Sequence, residues 1–154
     1  MSTTILSNID VTVLKDGEIT KHDLTFKIIV IGDSGVGKSC LSLKAVKNTF
    51  ESNYSTTVGF EYFIYNVLIN QEVTMKLQIW DTCGQEIYRS LISSFYKNSS
   101  LAILVYSIDR YNPYNFSVES FHNIDIWLKE LKLHSNPDIK LFLIGNKADL
   151  EKFG

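Results

Sequence analysis

The stretch GDSGVGKS, Gly32 to Ser39, decides how this chain is read. It follows the apolar run Phe26-Lys27-Ile28-Ile29-Val30-Ile31 and leads into Gly37 to Asn48, a segment of good helix formers without proline. A strand that gives way to glycines, then to a lysine and a hydroxyl at the start of a helix, fits G-x-x-x-x-G-K-[ST] in its required context. The glycines let main-chain N–H groups wrap a polyphosphate that side chains would hold off. The helix that follows adds the positive end of its dipole. Asp33, Ser34, Gly35, Val36, Gly37, Lys38 and Ser39 are therefore candidate phosphate-binding residues. Lys38 is placed to reach the β and γ phosphates, and the Ser39 hydroxyl to ligate Mg²⁺.

Such a loop does not by itself choose between nucleotides, but two further stretches bear on the choice. Gln78-Ile79-Trp80-Asp81-Thr82-Cys83-Gly84-Gln85-Glu86 ends a strand on an acid and sets a glycine three residues later. Asp81 can hold Mg²⁺ through water while the Gly84 N–H meets the terminal phosphate. Leu143-Ile144-Gly145-Asn146-Lys147-Ala148-Asp149 ends another strand on an amide, a cation and a carboxylate. A carboxylate at Asp149 can accept from both the ring N–H and the exocyclic amine of guanine, a donor pair that adenine lacks. A site built around such polar groups rejects the wrong base by factors of about 10⁴ or more.

The rest of the chain is consistent with one globular domain. Its 154 residues are 45% apolar and 21% charged, with a net charge of −2, which gives no sign of a nucleic-acid surface or a polybasic membrane patch. The longest apolar run, Leu101 to Tyr106, is far too short to span a bilayer. The opening MSTTILSNID lacks the basic and apolar regions of a secretory signal. Cys40 and Cys83 have neither metal-ligand nor disulfide-framework spacing, which suits a reducing cytoplasm. His22, His122 and His134 are scattered and read as solvated positions.

Strands are expected at Phe26–Ile31, Phe60–Asn70, Thr74–Trp80, Leu101–Ser107 and Lys140–Ile144, the second and third as an antiparallel hairpin. A helix is expected over Ser117 to His134, with Phe121, Ile124, Leu128 and Leu131 on its buried face and Asn136-Pro137 ending it. Strands alternating with helices predict an α/β fold with a mostly parallel sheet, ligands binding at the carboxyl ends of the strands. Before Leu24, the alternation Asp10-Val11-Thr12-Val13, the turn signal Asp16-Gly17 and Glu18 to Thr20 are compatible with a small hairpin or with a tail.

With these motifs in order from Phe26 to Leu150, the chain resembles the Ras-superfamily small GTPases and, within them, the Rab branch. Met75 to Thr82, Ser93-Ser94-Phe95-Tyr96-Lys97 and Gly145 to Leu150 carry the Rab likeness. The resemblance implies a Ras-like P-loop NTPase domain that binds GTP or GDP with Mg²⁺. It adds Cys40 to the phosphate contacts. Thr57 becomes the first-switch Mg²⁺ ligand beside Ser39 and Asp81. Phe50 becomes the aromatic on the guanine, with Asn146, Lys147 and Asp149, and Lys147 also supports the phosphate loop. Gln85 becomes the residue that orients the attacking water. Tyr62, Trp80 and Phe95 fall where Rab proteins read effectors, a role compatible with ordinary core packing. Exchange factors, GTPase-activating proteins and effectors are the implied partners. No arginine finger is apparent in the chain, so hydrolysis is expected to be slow until a partner completes the site.

Several positions depart from that pattern. Cys83 replaces the usual alanine, Ile87 a common arginine and Ser107 an acid, and the loop from Asp109 to Ser117 is longer than the norm. The expected division is an extension over residues 1–24 and a partial G domain over 25–154, lacking the last strand, the last guanine loop and the last helix, with no lipidated cysteine tail of its own. Work at the cytosolic face of endomembranes would require such a tail. On this reading Lys140–Ile144 becomes an exposed sheet edge. The competing readings are a degenerate scaffold that binds nucleotide weakly and an ATP-using P-loop enzyme, against which Asn146-Lys147-Ala148-Asp149 weighs.

Overall fold

The computed structural model describes residues 9–15, 21–50, 57–85, 89–108 and 116–153. The strands are β1 (Val11–Leu14), β2 (Leu24–Ile31), β3 (Phe60–Ile69), β4 (Val73–Thr82), β5 (Leu101–Ser107) and β6 (Lys140–Asn146). The helices are α1 (Lys38–Lys47), α2 (Arg89–Tyr96), α3 (Phe116–His122) and α4 (Ile124–His134), followed by a 3₁₀ turn at Ala148–Phe153. The strands form one six-stranded sheet in the order β1-β3-β4-β2-β5-β6. β2 pairs in parallel with β4 and β5, β5 in parallel with β6, and β3 with β4 in the expected antiparallel hairpin.

β2 reads as a continuous apolar run because both of its faces are covered. Ile29 and Ile31 point into a core with Ile92 and Tyr96 of α2, Leu104 of β5, and Trp127 and Leu131 of α4. Ile28 and Val30 point the other way, into a core with Val36, Ile79 and Val105 that Leu41 and Val46 of α1 flank. Alternation along one strand thus fastens helices to both sides of the sheet and fixes where its carboxyl ends emerge. The loop after β2 starts at that rim.

Two expectations change. The residues before Leu24 are compatible in sequence with a hairpin or a tail. Instead β1 adds to the sheet edge antiparallel to β3, Val11 opposite Ile69 and Leu14 opposite Asn66. The Asp10 N–H donates to Asn70 Oδ1 at 2.9 Å, and the Asn70 N–H to the Asp10 carbonyl at 2.8 Å. Residues 16–20, the other arm of the possible hairpin, lie outside the described residues. The helix expected as one piece over Ser117–His134 is two, α3 and α4, which meet at the turn residue Asn123 with φ of −76° and ψ of −6°. The buried face of the second piece runs through Trp127 and Leu131 with Ile124 and Leu128 alongside, while Phe121, ahead of the break, is exposed. At the far edge Leu141, Phe142 and Leu143 of β6 are exposed. Among the described residues no helix is long and apolar enough to cross a membrane.

Candidate functional site

The glycine-rich loop turns at the carboxyl end of β2 through backbone that only glycine adopts readily. Gly32, Gly35 and Gly37 have φ of 138°, 77° and 95°. A Cβ on Gly32 would strike the Val105 carbonyl, and one on Gly37 would strike the Asn146 side chain. Lys38 folds back over the loop, donating from Nζ to the carbonyls of Gly32 at 2.9 Å and Asp33 at 2.7 Å. Burial pushes this ammonium down to about 8, against the opposing pull of Asp81, Cys83 and Asp33. The loop therefore encloses a desolvated cation with carbonyl dipoles and little formal negative charge, a poor match for the ion and a good one for an arriving anion.

Three oxygen donors converge next to it. Ser39 Oγ donates to Asp81 Oδ2 and lies 2.7 Å from Thr57 Oγ1. Asp81 is fully buried, and its Oδ1 has no partner among the described residues. Burial raises its carboxyl to about 6, only partly offset by the Ser39 hydrogen bond and Lys38. An orphaned buried carboxylate oxygen beside two hydroxyls is a hard-oxygen set that suits Mg²⁺ completed by phosphate and water, so these residues fit the ion. Among the described residues there is no His, Cys, Asp and Glu cluster that would favour a softer metal. Because metal and proton compete for a raised acid, Mg²⁺-dependent nucleotide affinity should fall about tenfold per pH unit below 6, beyond the titration of the nucleotide itself. Affinity measured from pH 5 to 8 with Mg²⁺ checks this; a flat profile after that correction would contradict it.

The expected base motif meets the loop directly. Asn146 Nδ2 donates to the Val36 carbonyl at 2.8 Å, and the Lys147 stem passes close to Gly37. Lys147 has a φ of 66°, a sharp turn out of β6 that brings Asp149 round to the same side. Gly37, Cys40, Leu41, Lys44, Phe50, Asn146, Lys147, Asp149 and Leu150 line a cavity of about 670 Å³. Phe50 is largely exposed there. Cys40 lines the base side of the loop.

Gly84 abuts the peptide between Asp33 and Ser34 so closely that a Cβ would overlap it. The Cys83 N–H donates to the Gly59 carbonyl at 2.9 Å, joining the two segments that flank the expected phosphate end. Cys83 is buried, so the thiol packs where the Rab pattern has alanine. Gln85, two residues on, is half-buried. Ile87 lies outside the described residues.

The structure brings Tyr62, Trp80 and Phe95 together and adds Phe60, which the sequence motifs do not single out. Phe60 stacks obliquely on Trp80 at 5.2 Å and on Phe95 at 4.7 Å, while Tyr62 meets Trp80 at 4.9 Å. Alternation in β3 carries the signal, since Phe60 and Tyr62 share a face. Lys27 Nζ sits 5.4 Å from the Trp80 ring.

A family model described as the Ras family matches residues 27–153. The chain belongs to the Ras family. That assignment covers the loop, both motifs and the sheet from β2 to β6. Among curated relatives, it is 42% identical over 130 residues to the Ras-related protein RABA1c of Arabidopsis thaliana, 84% of this chain and 56% of that one. It is 43% identical over 130 residues to YPT3 of Nicotiana plumbaginifolia and 41% over 129 to RIC2 of Oryza sativa subsp. japonica, with the same coverage. The chain spans about half the length of the curated relatives it matches. Its likeness within the Ras family is to proteins of Rab type. β1, at the sheet edge beside β3, lies outside the matched residues.

Proposed function

We propose that this chain is a Rab-type molecular switch of vesicle transport, a cytoplasmic GTPase that binds GTP and GDP with Mg²⁺ and hydrolyses GTP slowly. Residues 25–154 form the switch domain and residues 1–24 an extension to it. One contact carries the reading: Asn146 of the base motif donates to the Val36 carbonyl of the phosphate loop, so one cavity is lined by both. Gly37 of the loop and Asp149 of the base motif thereby line the same cavity.

In this mechanism the loop amides and Lys38 bind the phosphates, and the developing charge on the β–γ bridge falls among donors already in place. Ser39 and Thr57, with Asp81 through water, would hold Mg²⁺, and the ion would supply charge neutralisation to the phosphates. Gln85 orients water in line with the γ-phosphorus, and Gly84 meets the terminal phosphate through its N–H. Loss of the γ-phosphate releases Thr57 and Gly84, and partner proteins read the change at Tyr62, Trp80 and Phe95. Exchange factors and GTPase-activating proteins set the rate in each direction.

Gln85→Leu tests the hydrolytic part. Single-turnover GTP hydrolysis should slow by about ten- to a hundredfold, because the water loses its orienting group, while GDP affinity stays near that of the unaltered chain. Equal turnover in the variant would remove Gln85 from the mechanism.

A further inference from the structure

Asp33 sits in the phosphate loop, yet its carboxylate faces away from the loop's interior. Oδ1 accepts from Trp127 Nε1 at 2.8 Å, and Oδ2 from Asn123 Nδ2 at 2.8 Å. We propose that the Asp33 carboxylate is a positioning residue that fastens the phosphate loop to α4 through Asn123 and Trp127, and so slows nucleotide release. The inference rests on the guanine-nucleotide reading above and adds to it a determinant of how long the nucleotide stays.

The loop needs a fastening because of what it is made from. Glycines at positive φ give it the shape a phosphate requires and leave it cheap to deform. Ahead of Lys38 and Ser39, side chains from outside clasp it at two places among the described residues: Asn146 on the Val36 carbonyl, and Asn123 with Trp127 on Asp33. The second is firmly rooted. Trp127 is 1% exposed and packed with Ile29, Ile31, Leu104 and Leu131 in one of the two cores. Asn123 stands at the break between α3 and α4, where its amide reaches the loop.

The same arrangement resolves an electrostatic problem. A carboxylate next to a polyphosphate site would repel the ligand if it pointed inward. Here two N–H donors, one to each oxygen, hold it outward and disperse its charge. Its main chain remains in the site. The Asp33 carbonyl accepts from Lys38, and the Asp33–Ser34 peptide is the surface against which Gly84 packs. A shift of Asp33 therefore displaces Lys38's carbonyl partner and the seat of Gly84 together. Once phosphate claims the Lys38 ammonium, the clasp to α4 remains, since it involves neither.

Release of a fluorescent GDP by excess unlabelled GDP, measured with Mg²⁺ on the full chain, tests this. Asp33→Ala should release about tenfold faster, and Asn123→Ala and Trp127→Phe roughly threefold faster each, as expected for losing hydrogen bonds to a charged group. Asp33→Asn keeps the shape but only one acceptor oxygen and should fall between; it carries the test if the alanine variant fails to fold. Combining Asp33→Ala with Trp127→Phe should release no faster than Asp33→Ala alone, since both remove one contact. A proton–nitrogen spectrum supplies the second readout. Asp33→Ala should shift the Trp127 indole N–H and leave that of Trp80, which has no partner among the described residues, in place. Normal GDP binding with unaltered release in Asp33→Ala and Asp33→Asn would overturn the inference alone, as would additive effects in the combined variant. Failure of the unaltered chain to bind GDP would overturn the functional reading and this inference with it.

Discussion

Lys38→Ala is expected to weaken GDP and GTP affinity by roughly a hundred- to a thousandfold, the scale set by removing one partner of a buried charged pair. The ammonium is almost fully buried, held by the Gly32 and Asp33 carbonyls, and burial lowers its pKa to about 8. A cation in that condition has surrendered hydration without gaining a full counter-charge. A phosphate supplies one, so much of the cost of holding the charge is returned on binding. Thermal unfolding of the nucleotide-free chain checks the same account from the other side. Between pH 8 and the ordinary lysine value of 10.5, the unfolded chain binds a proton at Lys38 that the folded chain has released. Stability should therefore rise with pH across that window, and Lys38→Met should lack that increment. GDP affinity within about threefold of the unaltered chain in Lys38→Ala would mean that phosphate does not meet this ammonium.

The second large effect concerns the base. Asp149→Asn should lower guanine-nucleotide affinity by roughly a hundredfold or more and bring GTP and ATP closer together. Asp149 lines the cavity with Phe50 and Lys147, beyond the loop-bound Asn146. A carboxylate accepts from both guanine donors, whereas an amide accepts from one and turns its own N–H₂ towards the other. Phosphate binding should survive, since the substitution leaves the loop and its Asn146 clasp untouched. Competition titrations with GDP, ADP and pyrophosphate separate the two parts. Unchanged preference for guanine in this variant would place the base elsewhere.

Features written in contiguous residues are legible in the sequence itself. Gly32 to Ser39 declares its strand, turn and helix locally, and the buried runs of β2 and β5 announce strands covered on both faces. The motif around Asn146 reads as a base site from its donors and acceptors alone. Contacts joining distant parts of the chain are not legible in that way. Val11 to Leu14 alternates like any edge strand, and nothing in four residues states that Ile69 to Asn66 is the partner. Helical spacing puts Phe121 with Leu128, but the face that is buried runs through Ser120, Trp127 and Leu131, and Phe121 lies at its margin, exposed. Asp33 reads as one member of a loop of main-chain donors. Its side chain answers to residues 90 and 94 positions away. Phe60 is within reach, since it stands two residues before Tyr62 on the same face, but a partner for it requires the positions of Trp80 and Phe95.

One cavity of this chain is expected to take a guanine nucleotide by its phosphates and its base together. Calorimetric titration of the purified chain with GDP and with ADP, each with Mg²⁺ and with a chelator, tests it most directly. Binding of GDP at least about a hundredfold tighter than ADP, and weakened when Mg²⁺ is removed, is the predicted result. Equal affinity for the two nucleotides, or no heat of binding with either, would contradict it.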